Sequence, residues 1–390
     1  MINRNLSIKL QNDATKHPVV AVLGPRQSGK TTLVRACFTN KPYVSLENPD
    51  EKDFALRDPI GFLSRFPEGV ILDEVQNVPD LFSYIQTIVD EKKQNGFFIL
   101  TGSQNFLLME SISQTLAGRV ALHTLMPFTY IELKNNIPKI SLNELMFTGG
   151  YPRIYDQGLN ASEWLADYVK TYIERDVRLI KNITDLTSFH RFIKMCAARS
   201  GQLLNLTSLG DDCGISHNTA KAWLSVLESS YLVFQHIPFY NNLDKRIKKS
   251  PKLYFYDVGL VCYLLGIYDH KTLETHSKRG AIFETWVISE IVKQKFHQKA
   301  FFDLFFWQDK SKKEIDCIIE KGEKLYACEI KSGMTVTHDY YKNIYYWCRL
   351  SKALKSKACL IYAGEKSFQR EGFMTYSWQD LDINTLIEFS

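Results

Sequence analysis

The chain lacks several features that would place it in a special class. Its N-terminus, MINRNLSIKLQNDATKHP, has no apolar core of the kind a secretory signal needs. No run of about 18 apolar residues occurs, so no membrane-spanning helix is expected. Both absences make the cytoplasm the expected compartment. The eight cysteines (Cys37, Cys196, Cys213, Cys262, Cys317, Cys328, Cys348 and Cys359) include no CxxC pair and have no histidine cluster beside them. That excludes a zinc-finger spacing and a small disulfide scaffold, and leaves buried thiols in a reducing compartment. Charge of one sign is also scarce. A net charge of +5 over 390 residues permits a nucleic-acid partner without arguing for one, so the distribution of charge has to decide. There is no internal repeat and no low-complexity segment.

What is present is ordinary globular composition, 45% hydrophobic and 23% charged. At roughly 100–200 residues per domain the length predicts two or three domains, long enough to bury their cores without staples. From about Pro18 to Pro127 short apolar runs alternate with helical stretches. VVAVLG (Val19–Gly24), PYVSLE (Pro42–Glu47), GVILDE (Gly69–Glu74) and GFFILTGS (Gly96–Ser103) read as strands, apolar on both faces and each followed by a turn. This pattern predicts an α/β fold with a parallel sheet covered by helices. Thr31–Thr39 and Pro79–Lys93 read as two of those helices.

GPRQSGKT, Gly24 to Thr31, matches GxxxxGK[ST] between a strand and a helix, the context that gives a P-loop its meaning. Gly24 and Gly29 allow the loop Gly24-Pro25-Arg26-Gln27-Ser28-Gly29 to turn tightly, and the freed N–H groups of its non-proline residues and of the helix start through Thr32 can bind an anion. Lys30 would supply a point charge to the β- and γ-phosphates and Thr31 a hydroxyl to Mg²⁺. The expected ligands are therefore ATP and Mg²⁺. A P-loop requires an acidic strand end, and GVILDE provides one. Asp73 would hold Mg²⁺ through water, and Glu74 would orient and deprotonate the attacking water. A third strand ends in TGSQ, where Thr101 or Ser103 could meet the γ-phosphate or that water. Arg119, in LAGR, offers a guanidinium that could act on its own subunit or across a homo-oligomer interface.

The P-loop with LDEVQ, LTGSQ and LAGR, followed by FTGGYPR, YIERDVR and KSPKLYFYDVGL, resembles the prokaryotic AAA-type ATPases that carry a C-terminal restriction-endonuclease-like domain of unknown function. The resemblance covers nearly the whole chain. It implies a P-loop ATPase core over residues 1–130, a helical lid or connector over 131–200, a winged-helix-like domain over 201–262 and a restriction-endonuclease-like α/β domain over 263–390.

The residues themselves bear on the later segments. The GGYPR stretch (Gly149–Arg153) reads as a turn, and Ala161–Lys181 as a long helical pattern. Thr207–Cys213 and Ser216–Ser229 have helix–turn–helix spacing, with Gly214 in the turn, Ser216 as N-cap, and Ala220, Trp223, Leu224 and Leu227 facing a core. Outward residues His217, Asn218 and Lys221 could meet DNA, and Lys245, Arg246, Lys248, Lys249 and Lys252 form a basic stretch suited to phosphates. A lid or protein contact, with a solvated basic loop, is the rival reading.

Nearer the C-terminus, Asp316 lies on EIDCII, while Glu329 and Lys331, two apart on ACEIKS, share one strand face. A hairpin turn at Lys321–Glu323 would bring the three together. With Glu284 on the preceding helix they would form a second Mg²⁺ site for phosphodiester hydrolysis, similar to the D–ExK core of restriction-endonuclease-like nucleases. The expectation is an ATPase that couples nucleotide state to DNA binding or processing. The alternative is an ATP-driven switch or assembly protein whose C-terminal domain is a non-catalytic interaction module.

Overall fold

The computed structural model describes residues 2–103, 112, 114–137, 139–173, 185–239, 250–351 and 356–388. Every residue of the strand Val19–Gly24 (β1) is buried, as an apolar, β-branched run inside a sheet must be. With Tyr43–Ser45 (β2), Val70–Asp73 (β3), Phe98–Ser103 (β4) and Val120–Thr124 (β5) it forms a sheet of order β2-β3-β4-β1-β5. All of these pairings are parallel. Alternate residues of β1 feed two cores. Val19, Ala21 and Leu23 pack with Phe82 and Ile85, whereas Val20 and Val22 pack with Leu6, Leu10 and Leu33. The second core rests on an N-terminal helix, Leu6–Ala14, that the sequence pattern did not announce.

Parallel order has one consequence for the site. All five strands end at the same edge, so Gly24, Asp73 and Ser103 converge there although they lie far apart in the chain. β4 stands between β1 and β3, with Gly24 in register with Ser103.

The expected helix–turn–helix elements appear as Leu206–Cys213 and His217–Ser229. Gly214 takes φ 69°, a left-handed turn that glycine makes without a Cβ penalty, and the Ser216 side chain caps the second helix at the Thr219 N–H. Ala220, Trp223, Leu224 and Leu227 are buried, while His217, Asn218 and Lys221 are exposed. Of the basic stretch, Lys245, Arg246, Lys248 and Lys249 lie outside the described residues. Lys252 does not belong to a solvated wing. It is buried on strand Lys252–Phe255 (β8). The helical pattern expected over Ala161–Lys181 is a helix at Ala161–Tyr168 that runs into a π-helical turn at Val169–Ile173; beyond residue 173 it leaves the described residues.

A second sheet has the order β13-β14-β12-β11-β10-β9-β7-β8-β6. Its strands are Gln202–Leu203 (β6), Val233–Pro238 (β7), β8, Asp303–Gln308 (β9), Glu314–Lys321 (β10), Lys324–Lys331 (β11), Ser356–Tyr362 (β12), Phe368–Arg370 (β13) and Phe373–Ser377 (β14). β7 pairs with β9 through Ile237 and Pro238, so the sheet passes from the helix–turn–helix segment into the C-terminal segment without a break. The boundary expected between residues 262 and 263 falls inside the helix Val258–Leu264.

The 20-residue helix Arg279–Gln298 ties the halves together. Its Glu290 accepts the Tyr130 N–H at 2.7 Å, Lys293 donates to the Phe128 carbonyl at 3.0 Å, and His297 Nε2 accepts the Met126 N–H at 3.1 Å. Gln294 donates to the Leu381 carbonyl and accepts the Ile383 N–H. The chain leaving the first sheet is therefore bolted to a helix whose other end reaches the C-terminal strands.

Candidate functional site: a phosphate cradle and an acidic cluster

Gly24 and Gly29 have φ of 146° and 91°. A Cβ on Gly24 would stand 2.2 Å from the Leu125 carbonyl oxygen, so close backbone approach requires glycine there. The helix Lys30–Cys37 starts at Gly29 with no side-chain cap, which leaves its first N–H groups facing a cavity of about 620 Å³. Lys30 is buried, and its ammonium donates to the carbonyls of Gly24 (3.1 Å) and Pro25 (2.8 Å). Burial holds it below the usual lysine range, opposed by the charges of Glu74 and Asp73. The Ser28 hydroxyl is buried with no hydrogen-bond partner among the described residues. An uncapped helix start, a desolvated ammonium and an orphaned hydroxyl fit an anion such as a triphosphate.

Thr31 Oγ1 donates to both oxygens of Asp73, at 3.1 and 3.0 Å. Tyr43 donates to Asp73 Oδ2 at 2.7 Å, and its phenol is pushed up to about 12 by burial and by the Asp73 carboxylate. Thr101 is fully buried and donates to Asp73 Oδ1, so it backs the aspartate and does not face the cavity. Hydroxyl and carboxylate at the end of the helix and strand suit a hard cation such as Mg²⁺, which prefers oxygen donors.

Glu74 adopts φ 54°, a left-handed conformation costing about 1 kcal/mol for a residue with a Cβ. The turn lets its N–H donate to Thr101 Oγ1 at 3.3 Å, while its carboxylate accepts from Gln76 and from the Ser103 N–H and hydroxyl. Burial works against the Glu74 anion, but the Lys30 charge and the Gln76 and Ser103 hydrogen bonds outweigh it and hold the carboxyl below the ordinary glutamate range.

Arg119 stands elsewhere. It immediately precedes β5, where Val120 pairs with Val19, the first residue of β1. The P-loop begins at the other end of β1, five residue steps of about 3.3 Å away, or about 17 Å. Arg119 is engaged by Asp90 at 2.6 and 2.8 Å. It therefore cannot reach phosphates bound by its own P-loop. The sequence order suggested nearness, but a parallel strand must enter at the edge opposite the site.

Two arginines that sequence reasoning passed over are at the cradle. Arg4 is buried and donates to Glu132 at 3.1 Å, to the Ser28 carbonyl of the P-loop at 2.9 Å and to the Met126 carbonyl. Arg153 lines the cavity with Pro152 and Asp156, and Pro152 Cγ lies 3.7 Å from where a Cβ on Gly29 would be. The GGYPR stretch is a turn followed by a short helix, Pro152–Asp156. Its placement is set by Asp257, which accepts the Gly150 N–H at 2.7 Å while capping the helix Val258–Leu264 at the Leu260 N–H, 3.0 Å away. A proline-arginine pair opening a helix after two glycines was the signal available in the sequence.

The C-terminal residues also converge. Oxygen atoms of Glu284, Glu314 and Asp316 lie within 4.8 Å of one another. Asp316 accepts the Ile330 N–H at 2.7 Å, which places it beside Glu329 on the next strand. Glu329 bonds Lys331 at 2.6 Å and Asn343 at 2.9 Å, and burial followed by the Asp316 charge pushes its carboxyl up to about 8. Burial and Asp316 also raise Glu284, against the pull of Lys252. Glu314 and Lys252 were not expected here. Lys252 donates to Glu284 at 2.9 Å and to Glu314. Tyr254 donates to Glu284 at 2.6 Å.

Comparison with known proteins gives the first segment its class. Residues 16–134 match the model of an AAA domain, residues 139–271 a domain of unknown function, DUF8612, and residues 279–381 another, DUF4143. The first segment is an AAA-type P-loop ATPase domain. Along the full chain, the uncharacterized proteins Mb2031c of Mycobacterium bovis and Rv2008c of Mycobacterium tuberculosis are each 29% identical over 376 residues, covering 94% of this chain and 81% of theirs. Among solved structures, the Walker-type ATPase paby2304 of Pyrococcus abyssi superposes with a TM-score of 0.45 at 16% identity, over 68% of this chain and 96% of that one. RuvB of Thermotoga maritima gives 0.30 at 16%, over 63% and 92%. No helix among the described residues is long and apolar enough to cross a membrane.

Proposed function

We propose that the chain is a Mg²⁺-dependent ATPase that uses nucleotide state to govern DNA binding or processing by its later segments. The observation that carries the ATPase reading is the meeting of Thr31 with Asp73, from two strands away, at 3.0 Å beneath the uncapped helix start. Backbone N–H groups from Arg26 to Thr32 bind the phosphates, and Lys30 exchanges its loop carbonyls for phosphate oxygens. Mg²⁺ held by Thr31 and Asp73 would neutralise charge between the β- and γ-phosphates. Glu74, kept anionic and aimed by Ser103, takes the proton of the attacking water. Ser103 thus acts through Glu74. Arg153 supplies the guanidinium on the open side of the cavity, the part that Arg119 cannot play in its own chain. A role for Arg119 needs a second subunit docked on that edge of the sheet.

Coupling to the rest of the chain is supported by the Arg279–Gln298 helix. His297 holds Met126 at one end, and Glu284, thirteen residues earlier and about 20 Å away along the axis, enters the acidic cluster. DNA contact is supported by the exposed His217, Asn218 and Lys221 on the second helix of the helix–turn–helix, which we read as a winged helix because a helix, β6, two helices and the β7–β8 hairpin follow in that order. The C-terminal segment we read as restriction-endonuclease-like. One observation favours the rival reading of a non-catalytic module: Lys252 already sits among the carboxylates.

The test is direct. Lys30→Ala is expected to abolish ATP turnover, and turnover that survives it overturns the assignment. Plasmid DNA is then incubated with Mg²⁺ and ATP. Nicking that stops in Asp316→Ala supports processing, while intact plasmid in every nucleotide state supports the module.

A further inference from the structure

Lys252 reaches the acidic cluster from outside the C-terminal segment. It lies on β8, which pairs with β6 and β7 beside the helix–turn–helix, whereas Glu284 is on the Arg279–Gln298 helix and Glu314 and Asp316 are on β10. The lysine is 4% exposed, so its ammonium was taken out of water to reach this place. It meets Glu284 Oε1 at 2.9 Å and touches Glu314 Oε1.

The cluster has more carboxyl groups than lysines to answer them. Glu284, Glu314, Asp316 and Glu329 stand against Lys252 and Lys331. Glu329 is 1% exposed, and its Oε2 is buried with no hydrogen-bond partner among the described residues, on the strand where Asp316 binds the Ile330 N–H. Buried carboxylate oxygens without a donor are costly unless a cation answers them. Clustered carboxylates form an oxygen-only donor set suited to a hard divalent ion such as Mg²⁺ or Mn²⁺. An ammonium and a metal ion cannot use the same lone pairs of Glu284 and Glu314.

We propose that Lys252 is a tethered cation that competes with a divalent metal for Glu284, Glu314 and Asp316, so that the segment carrying the helix–turn–helix controls metal uptake by the C-terminal cluster. The inference rests on reading that cluster as a cation site and is independent of the P-loop. β8 is held on both sides, with Lys252 in register with His236 and Leu203, and β7 joins β9 through the short pairing at Ile237 and Pro238, so a shift at that pairing carries the ammonium relative to β10. Metal entry then requires either that shift or a swing of the lysine side chain.

The experiment titrates Mn²⁺ into the full chain without nucleotide, by calorimetry and by electron paramagnetic resonance of the free ion. Lys252→Met is expected to bind one Mn²⁺ at least about tenfold more tightly than the natural chain. The gain should vanish in Lys252→Met with Asp316→Asn. Equal binding by the natural chain and Lys252→Met overturns the competition while leaving a cation site. Absence of binding in a folded Lys252→Met chain overturns the cation site as well. Should Lys252→Met fail to fold in chelator, refolding is repeated in millimolar Mn²⁺ and in Na⁺ of equal ionic strength. Recovery in Mn²⁺ alone is the same competition read through folding, and no recovery overturns the proposal. Binding of a fluorescent ATP analogue, measured on each preparation, reports the P-loop separately.

Discussion

The Glu74 carboxylate accepts two hydrogen bonds from Ser103, one from its N–H at 3.2 Å and one from its hydroxyl at 3.1 Å. Strand ends β3 and β4 thereby hold one carboxylate between them, and the strained φ at Glu74 is what turns its side chain toward Ser103. This arrangement separates aiming from proton transfer.

Ser103→Ala removes one hydrogen bond to the anion and keeps the N–H. A bond to a charged group is worth about 1.5 kcal/mol or somewhat more, so kcat should fall by about tenfold while nucleotide affinity stays unchanged. Glu74→Gln keeps the shape but loses the base, and kcat should fall by about 10²–10⁴-fold with ATP still bound. Steady-state turnover beside equilibrium binding of labelled ATP checks both. Equal losses in the two variants would mean that Ser103 touches the reacting groups itself.

The buried pair Arg4–Glu132 makes a different prediction. Burial lowers the guanidinium and opposes the Glu132 anion, yet each is held charged by the other, and Glu132 also accepts the Thr129 and Asn5 N–H groups. Removing one partner leaves the other unpaired inside the protein, at a cost of about 3–5 kcal/mol. Arg4→Ala should therefore lower the denaturation midpoint strongly. Because Arg4 also pins the Ser28 carbonyl, ATP affinity should fall in the folded fraction. Denaturant titration with and without ATP separates the two effects.

How much of this was legible in the sequence depends on the range of the interaction. The parallel strands were legible because a strand buried on both faces has to be apolar throughout, as Val19–Gly24 is. The P-loop was legible because its glycines serve a local backbone need. Arg119 misled because LAGR follows the other motifs in order, while sheet direction, a tertiary property, decides which edge it occupies. Arg4 and Lys252 were not legible because each meets its partners across a long stretch of chain, and Arg153 because its place on the P-loop cavity is tertiary while its bonded partner, Gln157, is local. Lys252 shows this best: KLYF is a fully buried strand, yet beside Lys248 and Lys249 it read as the end of a charged loop.

A pH dependence follows from His297. Burial first, then the nearby Arg4 and Lys293 charges, lower its pKa from 6.5 to about 4, against the pull of Glu132. Its Nε2 must stay unprotonated to accept the Met126 N–H. Between about pH 6.5 and about 4 the unfolded chain takes up a proton there that the folded chain refuses. Stability from this group is thus present above pH 6.5 and lost on acidification, by about 3 kcal/mol in all. Glu329, raised to about 8, acts in the opposite sense over its own window, so the difference between chains is the quantity to measure. His297→Gln should lose less stability than the natural chain as the pH falls. Parallel slopes in urea titrations would refute this.

Asp257 joins two stretches that sequence order separates by more than a hundred residues, and it does so at the lid of the nucleotide cavity. One oxygen accepts the Gly150 N–H and the other the Leu260 N–H. A Cβ on Gly149 would stand 2.3 Å from Asp257 Oδ1, and one on Gly259 would stand 2.8 Å from the Gly149 nitrogen, so both glycines are needed for the approach. Pro152 and Arg153 follow directly and face Gly29 and the cavity. Asp257→Ala leaves two buried N–H groups without acceptors, each costing about 1–3 kcal/mol, and frees the lid. Asp257→Asn keeps one acceptor oxygen and should lose about half as much. If the lid positions Arg153, both variants should lower kcat for ATP, Asp257→Ala more than Asp257→Asn, because a guanidinium on the transferred phosphoryl acts in the transition state. A variant that is destabilised but has an unchanged kcat would show that Asp257 holds the fold without setting Arg153 over the phosphates.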